Sequence, residues 1–194
     1  MSASARPEIK LEAARIETPR LILRPPQAFD LNDLFEYASD PEVTQHVRFV
    51  THQARDDTRA FLELAENGRK AGTMLVWAIE LKSTEKVIGT CGFVSFAHEH
   101  RRAELGYALN RKYWRQGYAA EAAAAIVAHG FKAMNLNRIE AHVSPEHLPS
   151  QRVLEKCGFQ AEGILRRHEM IKGRWHDSKI YSILREEFSG ATQD

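Results

Sequence analysis

Strong charge of either sign is missing from this 194-residue chain: 27 Lys and Arg stand against 26 Asp and Glu, for a formal net charge of +1. A protein that gains affinity by neutralising phosphates along DNA or RNA needs a clustered positive excess, so the balance argues against a nucleic-acid binder. Cysteine is scarce too. Cys91 and Cys157 lie far apart and form no Cys-x-x-Cys pair, which fits reduced thiols in a cytoplasmic protein better than a disulfide framework. The opening residues hold no apolar segment able to act as a signal peptide. The most apolar stretch, Ala119 to Phe131, is interrupted by Glu121, His129 and Gly130 and is too short to cross a bilayer. Also missing are the Gly-Lys-Ser or Gly-Lys-Thr of a P-loop, the Gly-x-Gly-x-x-Gly of a dinucleotide site and the helical His pair of a zinc protease, for which His98, Glu99 and His100 are too closely spaced. Nucleotide hydrolysis and hydride transfer lose ground, and no metal is expected.

What is present fits one domain. A chain of this size buries roughly 70% of its unfolded surface and needs no disulfide or metal to hold a core. Residues 1–17 are expected to be a leader, with a helical turn within Leu11 to Arg15; residues 18–188 are the domain and 189–194 a tail. Leu21 to Arg24, closed by Pro25 and Pro26, reads as a strand. Leu31, Leu34, Phe35 and Ala38 form a helical stripe over Asp30 to Ser39, and Phe61, Leu62 and Ala65 another over Asp57 to Lys70. The period then switches to strands at Met74 to Leu81, Val87 to Ser95 and Arg102 to Asn110. A helix from about Gly117 to Met134 follows, then a strand from Arg138 to Val143 and a short helix from Pro149 to Cys157. Strands at Gln160 to Ile171 and Arg174 to Arg185 close the chain as a hairpin turned at Lys172 and Gly173. This order predicts an α/β (α+β) fold, a mostly antiparallel sheet of about seven strands covered by helices.

The segment Tyr113 to Ala122 starts a helix with a Gly and two small residues directly after a strand. Such a start leaves backbone N–H groups free at the positive end of the helix dipole, a setting for an anion such as phosphate. A tight turn permitted by Gly117 accounts for the same spacing equally well.

These residues carry a resemblance. Ala103 to Leu109, then Tyr113, Trp114, Gly117, Tyr118, Ala119, Ala120, Glu121 and Ala122, are similar to the acetyl-coenzyme A motif of the GNAT N-acetyltransferases. Asn137 to Ala141, Ser150 to Gly163 and the opening Thr18 to Arg24 resemble the RimJ/RimL branch, the ribosomal-protein-alanine N-acetyltransferase type. The match runs in order from Thr18 to Leu184. It implies a V-shaped splay between the fourth and fifth strands that holds the pantetheine arm of acetyl-coenzyme A against Ala108, Leu109 and Asn110. Arg115, Gln116, Gly117, Tyr118, Ala119 and Ala120 would cradle the pyrophosphate. Trp114 stands where the family usually has Gln or Arg, Arg115 where Gly is frequent, and His147 where an Asn precedes the Ser by three; His147 still offers a hydrogen bond to the cofactor.

Acetyl transfer to an amine needs a neutral amine, oxyanion stabilisation and a proton for the leaving thiolate. An α-amine titrates ~2.5 units below a Lys amine, which lowers the cost of deprotonation by roughly 3.5 kcal/mol. In this branch the Ser matching Ser150 is thought to protonate the thiolate, and Ser150 shares a helix face with Val153, Leu154 and Cys157. Two carboxylates compete as base. Glu104 shares a strand face with Gly106 and Ala108, while Glu169 roughly matches an acid proposed as base in the RimL type; for each a structural salt bridge is the competing reading. Cys157 reads as core filling rather than an acyl carrier. Aromatics at Phe35, Tyr37, His46, Phe49, Trp175, His176 and Tyr181 are candidates for an acceptor pocket.

The resemblance implies a cytoplasmic enzyme, a monomer or homodimer, and the charge balance and the lack of a spanning segment set aside nucleic acid and membrane as partners. It would move acetyl from acetyl-coenzyme A to a primary amine, first of all the N-terminal α-amine of a ribosomal or other protein. A small amine (polyamine, amino acid or aminoglycoside) and a non-catalytic acyl-coenzyme A sensor are the alternatives.

Overall fold

The computed structural model describes residues 13–188. Its strands are β1 (Ile16–Glu17), β2 (Leu21–Arg24), β3 (Leu75–Leu81), β4 (Lys86–Ala97), β5 (Arg102–Leu109), β6 (Arg138–Val143), β7 (Gln160–Ile171) and β8 (Arg174–Leu184). They form one eight-stranded sheet in the order β1-β2-β3-β4-β5-β6-β8-β7. Every neighbouring pair is antiparallel except β5 and β6. Seven of these are the strands expected from the sequence. The eighth, β1, is too short to carry a period and falls within the stretch expected as a leader: Ile16 pairs with Leu23 and Glu17 with Ile22. Residues 13–15 carry no helical turn, and Trp77 Nε1 donates to Ala14 O at 2.8 Å. The earlier part of that expected turn and the tail 189–194 lie outside the described residues.

Alternation along the strands gives the sheet two apolar faces. One packs Trp77, Phe93, Leu105 and Ile139 under α4 (Tyr118–Lys132) and α5 (Leu148–Lys156), which contribute Ile126, Phe131 and Leu154. On the other, Ala78 and Ala108 meet Leu34 and Tyr37 of α1 (Leu31–Ala38), followed by α2 (Pro41–Thr44) and α3 (Arg55–Ala71). The short α2 was not foreseen; its start is capped by Asp40, whose Oδ1 accepts from Glu42 N at 2.9 Å. Lys172 (φ 51°) and Gly173 (φ 76°) both take positive φ, as a two-residue turn between right-twisted strands requires.

The parallel pair positions the site. β5 and β6 meet only at Arg102–Arg138, Ala103–Ile139 and Glu104–Glu140, and beyond Glu104 the two strands part. That is the expected V. No helix among the described residues is long and apolar enough to cross a membrane.

Candidate functional site

A cavity of about 730 Å³ occupies the splay, bounded by β5, β6, the start of α4, α5 and the segment after α2. Strand alternation gives it two sides. Leu105 and Tyr107 turn toward α4 and α5, whereas Glu104, Gly106 and Ala108 turn toward α1 and α3.

At one end lies the start of α4. Gly117 adopts φ 82°, and the first intrahelical bond runs from Glu121 N to Gly117 O at 3.0 Å. The N–H groups of Tyr118, Ala119 and Ala120 precede that bond and have no intrahelical acceptor. Arg115 also sits in the left-handed region (φ 60°), a conformation that favours Gly. Glu121, in the first turn, would repel an anion there. It is drawn away by Thr18 Oγ1 (2.6 Å) and by Arg20, whose Nε lies 2.6 Å from Oε2. Burial works against ionisation, but those hydrogen bonds hold the Glu121 carboxyl below its ordinary range. Arg20 also donates to Gln116 O at 2.9 Å and covers the Tyr118 ring, so the opening Thr18-Pro19-Arg20 fastens this loop. Trp114 Nε1 donates to Leu109 O at 2.7 Å and ties the loop to the end of β5.

On the α4 side, Tyr107 OH lies 2.8 Å from Ser150 Oγ and donates to Ser150 O at 3.0 Å. Burial pushes the Tyr107 phenol far above its ordinary value, so it stays protonated. His147, at the residue preceding α5, stacks on His46 with ring centroids 4.3 Å apart. Burial and the neighbouring His46 lower its pKa to about 4, leaving it neutral at pH 7. The Cys157 thiol, raised to about 11 by burial, is a poor nucleophile.

On the α1 side one guanidinium joins both candidate bases. Arg48 Nη2 lies 2.6 Å from Glu104 Oε1 and also pairs with Glu169. Ser95 Oγ donates to Glu104 Oε2 at 3.2 Å. Beside them His142 of β6 lines the cavity, its buried Nδ1 without a hydrogen-bond partner and 3.9 Å from Glu169 Oε1. His142, His168 and Glu169 bring ligand-capable atoms within 4.8 Å of one another, but Arg48 already supplies the cation at Glu169.

Of the residues singled out in the sequence, Glu104, Ser150 and His147 line the cavity, as do Ala108 and Leu109. So do Arg115 and Gly117 to Ala120. Asn110, Gln116 and Glu169 stand outside the lining. Asn110 is buried, its Oδ1 accepting from Lys112 N at 3.1 Å, while Gln116 Nε2 donates to Lys112 O at 3.0 Å. Glu169 reaches the site through Arg48. Among the aromatics, His46 and Phe49 line the cavity, but Tyr37 and Tyr181 are core residues and Trp175 is exposed. Arg48, Tyr107 and His142 escaped the sequence reading. Arg48 lies in an irregular segment, and the other two sit in plain strand alternation.

The donors suit a long anion with an amide-bearing arm: free N–H groups at one end, then two strand edges with no strand between them.

Residues 20–160 match the family described as the acetyltransferase (GNAT) domain. The chain is 40% identical over 173 residues to the uncharacterized N-acetyltransferase p20 of Bacillus licheniformis, covering 89% of this chain and 97% of that protein. It is 24% identical over 174 residues to the [ribosomal protein uS5]-alanine N-acetyltransferase of Escherichia coli, covering 87% of this chain and 90% of that one. The structure of Mycobacterium smegmatis RimJ in complex with CoA-disulfide superposes with a TM-score of 0.79 at 28% identity, over 87% of this chain and 84% of that one.

Proposed function

This chain belongs to the GNAT acetyltransferase family, and on that premise we propose that it moves acetyl from acetyl-coenzyme A directly to the N-terminal α-amine of a ribosomal or other protein in the cytoplasm. The observation that carries the reading is the Ser150–Tyr107 hydrogen bond on one side of the splay, with carboxylates on the other. Acetyl-coenzyme A supplies the activated thioester. Ala108 and Leu109 on the open edge of β5 hold its pantetheine arm, and the N–H groups of Gly117 to Ala120, with Arg115, hold its pyrophosphate.

Each side then moves its own proton. On the α1 side, the incoming ammonium is received by Glu104 and Glu169, which take its proton directly or through water so that the amine can attack the carbonyl. On the α4 side, Ser150 Oγ, held in place by the Tyr107 hydroxyl, gives its proton to the leaving sulfur and regains one from water. Neutral His147 offers a hydrogen bond beside Ser150. The unreactive Cys157 thiol supports transfer without an acyl-enzyme. The ribosomal target draws support from the name of the Escherichia coli relative. Mass spectrometry of protein N-termini from cells with and without this chain tests it: a defined set of N-termini should lose acetylation, and an unchanged set would refute the acceptor.

A further inference from the structure

The α1 side of the cavity has more apolar wall than an acetyl group can use. Phe49, Phe61 of α3, Met74, Val76 and Val94 enclose it, and its floor is the register pair Gly92–Gly106. A Cβ on Gly106 would lie 2.8 Å from Val94 Cγ1, so the glycine lets the Val94 side chain pack directly against β5 as part of this wall. The Thr90 hydroxyl on this wall is already bonded to Tyr37 OH at 3.0 Å. Among the described residues lining this side, the ionic groups are Arg48 and Glu104, which pair with each other. A polyamine would bury its further ammonium groups against hydrocarbon, at a cost no group on this wall offsets.

We infer that the acceptor is a primary amine carrying a compact apolar group, aliphatic or aromatic, which fills this chamber while the amine sits at Glu104. The inference rests on the N-acetyltransferase reading and names its substrate class. The same chemistry has two sources: the first side chain of a peptide whose N-terminus is acetylated, or a free hydrophobic amine.

Two series separate the sources: ethylamine, butylamine and hexylamine, and peptides differing only in a first residue of Ala, Val, Leu or Phe. Thiol release gives kcat/KM with acetyl-coenzyme A, and calorimetry gives Kd in the presence of coenzyme A. Each added methylene should improve both about fourfold until the chamber is full. A gradient among peptides alone assigns the chamber to a protein N-terminus, and one among free amines alone to a small molecule. Met74→Gln, similar in volume but polar, should flatten the gradient while acetyl-coenzyme A still binds; Phe61→Asn on half-exposed α3 repeats the test if Met74→Gln fails to bind the cofactor. Flat series in both arms, or spermidine preferred over butylamine, overturns the inference. Failure of every amine to release thiol would sink the acceptor reading, and the binding gradient would still decide the chamber.

Discussion

Tyr107 OH and Ser150 Oγ lie 2.8 Å apart at the point where β5 and β6 separate, one hydroxyl buried on the strand and the other in the first turn of α5. Because the phenol is held protonated by its burial and donates to Ser150 O, it positions Ser150 rather than competing with it as a base. Ser150→Ala should lower kcat about 100-fold or more, the usual effect of losing a general acid, with the acetyl-coenzyme A KM little changed. Tyr107→Phe keeps the ring and removes only the hydrogen bond, so its loss should be smaller. Wild-type kcat in Ser150→Ala would remove Ser150 from the chemistry.

Glu104 and Glu169 share Arg48, so their effects are coupled rather than additive. Removing either lets the guanidinium settle on the other. Single Gln variants should each lose activity, and the double variant should depart from the product of the two single losses in a double-mutant cycle on kcat/KM. If both single Ala variants turned over like wild type from pH 6 to 9, neither carboxylate would be the base.

Gly117 starts α4 with φ 82° among the free N–H groups. Gly117→Glu combines an unfavourable backbone conformation with a negative charge where an anion is expected, so acetyl-coenzyme A binding should be abolished. A binding isotherm reads it, and unchanged affinity would move the phosphate site elsewhere.

His147 is kept neutral by burial down to about pH 4, against an ordinary value of 6.5. Below pH 6.5 the unfolded chain takes up a proton that the folded chain refuses, so this group removes stability as pH falls from 6.5 to about 4. Above 6.5 both states are neutral and the effect vanishes. His147→Asn should therefore gain in melting temperature relative to wild type progressively across that window, and parallel melting curves would contradict the burial account.

The elements with a clear period were legible in the sequence: the long strands, α1, α3, α4, α5 and the Lys172–Gly173 turn. So was the start of α4 after Gly117, whose Gly and small residues are local. What was not legible depends on distant chain segments meeting. Arg48 follows α2 in a stretch without alternation or helical spacing, and it matters only because Glu104 and Glu169 converge on it across 56 and 121 positions. Tyr107 and His142 look like ordinary strand residues until β5 and β6 part beside them. The match of Thr18 to Arg24 could be seen, but its purpose, fastening Glu121 and the Gln116 carbonyl, could not.

Direct transfer is tested most sharply by a single turnover of enzyme in excess over acetyl-coenzyme A, followed by thiol release and by intact mass, with and without a peptide amine. Coenzyme A thiol should appear only when the amine is present, in step with acetylated peptide, and the enzyme mass should never change. Release without amine, an acetylated enzyme, or tight binding with no release for any amine would contradict the account.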